Sequence, residues 1–108
     1  RFEQGVVVDA TAVANEEYMV SVLDTDEGAR RLGELGVGCN PGIQRFMRNV
    51  LFDEKIEGTV HLALGAGFPP LGGTNVSTVH WDIVKDLRGG GRIELDGKLV
   101  QQDGRWLI

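Results

Sequence analysis

A chain of 108 residues, 42% hydrophobic and 25% charged, is one domain's worth of sequence with room for a single core. Its formal net charge of −5 argues against nucleic acid or an anionic membrane surface as partner, since both need a basic footprint. No apolar run approaches the ~20 residues that cross a bilayer. The single cysteine, Cys39, cannot close a disulfide within the chain, which fits a reducing, cytoplasmic setting.

The chain opens on Arg1-Phe2-Glu3 without an initiator methionine or a signal peptide, and starts mid-pattern, as a fragment of a longer protein would. Residues 1–13 predict a strand pair that turns at Gln4-Gly5 into a second strand over residues 6–12. Asn15 is placed to cap a helix whose first turn carries Glu16 and Glu17 and whose apolar face is Tyr18, Met19, Val22 and Leu23. Thr25 or Asp26 can cap a second short helix over residues 27–32, ended by Gly33. Apolar residues alternate with glycine over residues 34–40 in a short strand that Pro41-Gly42 breaks. Ile43, Phe46, Met47, Val50 and Leu51 then recur at helical spacing, which predicts an amphipathic packing helix over residues 43–52.

Both histidines lie in the next two strands, residues 59–64 and 78–85. Side chains alternate across a strand, so His80 and Asp82 emerge on one face, and His61 shares its face with the small residues Thr59 and Ala63. A glycine-rich loop, residues 65–73, follows His61. Imidazole from one strand and imidazole plus carboxylate from another can ligate zinc or a non-haem iron. The same spacing fits two core histidines with hydrogen-bonded ring nitrogens. At the C-terminal end, Asp96-Gly97 and Asp103-Gly104 are strong hairpin signals, so residues 92–108 predict a half-solvated β-meander. No phosphate-binding loop or G-x-S-x-G motif is present, and Cys39 has no histidine beside it to make it a nucleophile. The fold class expected is α+β: a mixed β-sheet with packed helices and a C-terminal hairpin meander.

Leu32-Gly33-Glu34-Leu35-Gly36, the run from Asn49 to Lys55, Gly58-Thr59-Val60-His61-Leu62-Ala63-Leu64-Gly65, Gly72-Gly73-Thr74-Asn75 and Val79-His80-Trp81-Asp82 together resemble the C-terminal part of the aminopeptidase T / aminopeptidase S family of metallo-aminopeptidases. The resemblance runs through nearly the whole chain in the same order. It implies a two-metal exopeptidase, in which Glu34 joins two divalent ions (Zn, Co or Mn), His61 ligates one, and His80 and Asp82 supply further ligands. A bridged water would attack the peptide carbonyl, with no catalytic side chain in the segment beyond the metal ligands. Peptide substrates, a missing N-terminal domain of the same chain and a homodimer are implied as partners. Residues 1–108 would then be the C-terminal metal-binding and catalytic domain of a larger two-domain enzyme, inactive alone. Its site would stand at a domain edge, solvated and able to be empty, with Phe68 and Leu71 uncovered.

Two features depart from the family. No threonine- and glutamate-rich motif, the source of a further glutamate ligand, occurs here, and Phe68 stands where the family commonly has tyrosine. Phenylalanine can neither ligate metal nor donate a hydrogen bond, so Phe68 is assigned to the wall of a substrate pocket. Dihydroxypyridine-cleaving dioxygenases look similar in this region and would hold Fe(II) with His61, His80 and Asp82 alone. Glu34 separates the two readings, because a bridging carboxylate serves two metals and is idle for one iron. A non-catalytic structural or dimerisation module is the third reading.

Overall fold

A computed structural model describes residues 1–108, which divide into two compact units, Arg1–Leu35 with Leu62–Trp81 and Gly36–His61 with Asp82–Ile108. The fold is α+β, as expected, with little helix and mostly antiparallel pairing.

In the first unit, β1 (Phe2–Glu3) and β2 (Val6–Val7) pair antiparallel, with Phe2 opposite Val7. Gln4 and Gly5 turn between them at φ 49° and 77°, the primed turn geometry that matches the twist of a hairpin. The second strand is shorter than the predicted residues 6–12. Helix α1 (Glu16–Leu23) follows, and Leu23 joins Val7 and Leu64 in the buried core, with Met19, Leu32 and Trp81 packed against it. Asn15 precedes the helix in a left-handed conformation without a side-chain cap bond, and Glu16 reaches back to accept the Ala12 amide instead. The helix expected over residues 27–32 does not form. The Asp26 carboxylate accepts the Gly28 amide in a local turn at 3.1 Å, and Leu32 already belongs to the next strand.

Three strands, β3 (Leu32–Val37), β4 (Thr59–Gly65) and β5 (His80–Asp86), form a sheet in that order. The Gly65 amide bonds to the Arg31 carbonyl while the Gly38 amide bonds to the Thr59 carbonyl, so β3 and β4 run antiparallel. The Ala66–Val79 and Leu87–Gly58 bonds set β4 against β5 in the same sense. The parallel element of the mixed pairing is an isolated bridge between Asn40 and Ile56.

In the second unit the helix expected over residues 43–52 shrinks to α2 (Val50–Asp53). Arg48 takes φ 57°, which no helix interior allows, and the Asp53 carboxylate binds the Met47 and Asn49 amides that a longer helix would have used. Asn49 caps what remains, accepting the Leu51 amide at 3.1 Å. Phe46, Met47 and Leu51 stay exposed, so their helical spacing was not a buried stripe. The meander forms as predicted: β6 (Arg92–Leu95), β7 (Lys98–Gln102) and β8 (Arg105–Trp106) pair antiparallel. No helix of the chain is long and apolar enough to cross a membrane.

Gln101 in β7 is fully buried, at 0% exposure, and neither its amide nitrogen nor its carbonyl oxygen has a hydrogen-bond partner. A buried unsatisfied polar group costs about 1–3 kcal/mol. Gln101→Met keeps the linear shape and removes both groups, so it is expected to stabilise the protein by roughly 1–2 kcal/mol in urea denaturation.

Candidate metal centre

The middle strand supplies His61, which is buried at 6% exposure between the fully buried Thr59 and Ala63 on the same face. Gly36 on β3 makes room for its ring. A Cβ built at Gly36 would stand 2.1 Å from both Cε1 and Nε2 of His61, closer than any side chain can come. One ligand atom from each of Glu34, His61 and Asp82 lies within 4.8 Å of the others, a donor set of two carboxylates and one imidazole. Such a mixed oxygen and nitrogen set suits a divalent ion of the zinc, cobalt or manganese kind.

His80 opens β5 and is half-exposed, and its two ring nitrogens have different surroundings. Nδ1 lies 3.0 Å from the Ala66 carbonyl oxygen. A carbonyl only accepts, so Nδ1 carries a proton in that bond. Nε2 stands 3.9 Å from Glu34 Oε2, beyond hydrogen-bond reach. It is a gap that two metal–ligand bonds of about 2.0–2.2 Å can span. The residues present therefore fit a metal.

Of the four ligand candidates, Glu34, His61 and Asp82 form the group, and His80 stands outside it with Nε2 3.9 Å from Glu34. The fully solvated site that was expected is solvated only in part. His61 is buried because Gly36 lets β3 close over its ring, whereas His80 is 42% and Glu34 28% exposed at the side chain. Phe68 and Leu71 are exposed, as expected, in a loop closed at its base by the Gly67 amide on the Asn75 carbonyl. Reading the residues alone missed Gly36, whose signal was its place in a glycine alternation on the strand that carries Glu34.

A second cluster sits beside His80 in the sequence. The Asp26 carboxylate accepts the Ser77 hydroxyl at 2.8 Å, the Thr78 amide at 2.8 Å and the Thr78 hydroxyl at 3.0 Å. Those donors, the Thr78 amide foremost, hold the Asp26 carboxyl below the ordinary carboxylate range. At the far end of β5, the guanidinium of Arg88 grips Asp86 at 2.9 and 2.8 Å and lowers that carboxyl too. A depressed carboxyl stabilises the fold above its unfolded pKa of about 3.9 and stops doing so as pH falls through the folded value. Stability is thus expected to fall below about pH 4, and the fall to be shallower in Asp26→Asn, measured as urea midpoints from pH 6 to pH 2.

The sequence profile of the family described as thermophilic metalloprotease (M29) matches residues 1–106. The chain belongs to the M29 family of metalloproteases. Among its relatives, aminopeptidase T of Thermus aquaticus is 36% identical, with 100% of this chain and 31% of the relative aligned. Aminopeptidase 2 of Geobacillus stearothermophilus is 34% identical over 96% of this chain and 28% of its own length. Wild-type AmpT from Thermus thermophilus superposes with a TM-score of 0.70 at 34% identity, covering 100% of this chain and 31% of that one. The chain spans about three-tenths of the length of these M29 relatives.

Proposed function

We propose that residues 1–108 are the C-terminal metal-binding and catalytic domain of an aminopeptidase that releases N-terminal amino acids from peptides. The observation that carries this reading is the grouping of Glu34, His61 and Asp82, with one ligand atom from each within 4.8 Å of the others. Glu34, His61, His80 and Asp82 would hold two divalent ions (Zn, Co or Mn), with Glu34 shared between them. Bound there, the ions would supply Lewis-acid polarisation of the peptide carbonyl and a nucleophile at neutral pH.

The side chains divide the remaining work. The carboxylates of Glu34 and Asp82 supply the negative charge that offsets the cations. His61, buried between Thr59 and Ala63, keeps water from its side of the centre. The Ala66 carbonyl holds the Nδ1 proton of His80 and so fixes the tautomer that leaves Nε2 to the site. Phe68, exposed and without a hydroxyl, offers an apolar wall to a substrate side chain. A cytoplasmic homodimer belongs to the same reading, and the exposed Phe68 and Leu71 are surfaces that a second copy or a further domain would cover.

The test is hydrolysis of amino-acyl anilides by the full natural chain, stripped of metal and then titrated with Co²⁺ or Zn²⁺. Activity is expected only with the ion added, and residues 1–108 alone are expected to show none. Metal-independent cleavage, or oxygen consumption with a dihydroxypyridine, would overturn the assignment.

A further inference from the structure

The Asp26 cluster has no part in the ligand set, yet a series of hydrogen bonds, joined through the backbone of Val79 and Ala66, leads from it to His80. The Ser77 hydroxyl donates to Asp26 and accepts the Val79 amide at 3.0 Å. The Val79 carbonyl takes the Ala66 amide at 2.7 Å, and the Ala66 carbonyl takes Nδ1 of His80 at 3.0 Å. The Ser77 hydroxyl has one proton and two lone pairs, so it gives its proton to Asp26 and accepts the Val79 amide at once, which fixes its rotor.

The same segment is pinned a second time. The Asn75 side-chain amide donates to the Gly28 carbonyl at 2.9 Å and to the Gly65 carbonyl at 2.6 Å. Both glycines are needed for this approach, because a Cβ at Gly28 would lie 2.0 Å from the Val76 oxygen and one at Gly65 would lie 2.0 Å from the Val79 oxygen. Residues 75–79 are therefore held against bare backbone on two sides, immediately before the strand that begins at His80.

We infer that Asp26 is a positioning residue for the metal centre, acting through Ser77, Val79 and Ala66 to fix the ring plane and tautomer of His80. The inference rests on His80 serving as a ligand. Partners that orient a metal-binding histidine are typically worth 10–100-fold in metal affinity. Asparagine at position 26 keeps one acceptor oxygen and turns an NH₂ group toward donors, so it must give up either the Ser77 bond or the Thr78 bonds that brace it.

Asp26→Asn, Asp103→Asn and His80→Ala would be made in the full natural chain, with Co²⁺ affinity and the Co²⁺ visible absorption spectrum measured beside thermal stability. Asp103 is the control for a plain turn staple, since its carboxylate accepts the Gly90 amide at 2.8 Å. Asp26→Asn is expected to weaken Co²⁺ binding by about tenfold and to shift the absorption bands, and Asp26→Glu to recover part of both. Asp103→Asn is expected to lower the melting temperature without moving either. Should Asp26→Asn not fold, Ser77→Ala, which cuts the links to both Asp26 and Val79 and leaves the Thr78 bonds to Asp26, carries the same test. If His80→Ala weakens Co²⁺ binding while Asp26→Asn and Ser77→Ala match wild type, the positioning role is wrong. If His80→Ala itself leaves Co²⁺ binding intact, the ligand reading beneath it is wrong.

Discussion

Gly36→Ala is expected to cost the protein both stability and metal affinity, although the change adds one methyl group. That methyl would stand 2.1 Å from Cε1 and Nε2 of His61. Carbon atoms do not approach so closely, so either the imidazole turns out of its position or β3 separates locally from β4. The ring is buried and boxed by Thr59 and Ala63, which leaves it little room to turn. Overpacking of this kind costs typically about 1–3 kcal/mol, and on the proposed reading of His61 as a ligand its misorientation should cost a further ~10–100-fold in metal affinity. Gly89→Ala is the matched comparison, because a Cβ there meets nothing within 4 Å, and its effect should stay within about 0.5 kcal/mol. Urea denaturation of both variants without metal, followed by Zn²⁺ titration, separates the two costs. A Gly36→Ala protein with wild-type stability and wild-type affinity would show that His61 does not depend on the open space at Gly36.

Legibility of the sequence followed the range of the physics involved. Gln4-Gly5, Asp96-Gly97 and Asp103-Gly104 could be read as turns because their positive φ angles are a local demand that those residue pairs meet. The alternation that put His80 with Asp82 was equally local, as was the pairing of His61 with small neighbours. The helix over residues 43–52 could not be judged that way. Its apolar spacing was real, but burial was not, and the Asp53 carboxylate offered the Met47 and Asn49 amides another partner. The expected helix over residues 27–32 failed for a similar reason, since Asp26 spends its carboxylate on Ser77 and Thr78, some fifty positions away in the chain. His61, His80 and Asp82 could be read as donors from strand alternation, whereas Glu34 was named from a family resemblance, with which the M29 match agrees. The closeness of Gly36 to His61 and the series of bonds from Asp26 to His80 depend on strand register, which no short window of residues encodes.

Glu34→Gln is expected to be the most damaging single change to activity while barely touching the fold. Glutamine matches glutamate in size and keeps an acceptor oxygen, and the side chain is 28% exposed, so loss of the charge should shift metal-free stability by no more than about 0.5 kcal/mol. The chemistry should respond quite differently. If Glu34 is shared between two ions, a neutral amide cannot hold both cations close together against their mutual repulsion. Bound metal should fall from two equivalents to one or fewer, and kcat/KM on an amino-acyl anilide should drop by about 10³-fold or more, roughly 4 kcal/mol of transition-state stabilisation. A single-iron centre built from His61, His80 and Asp82 would predict the opposite. There the carboxylate 3.9 Å from His80 Nε2 is only a neighbour, and its neutralisation should leave one bound equivalent and most of the turnover. Metal analysis and steady-state kinetics on the same preparation of the full natural chain decide between them, and one retained ion with near-normal turnover would remove Glu34 from the ligand set.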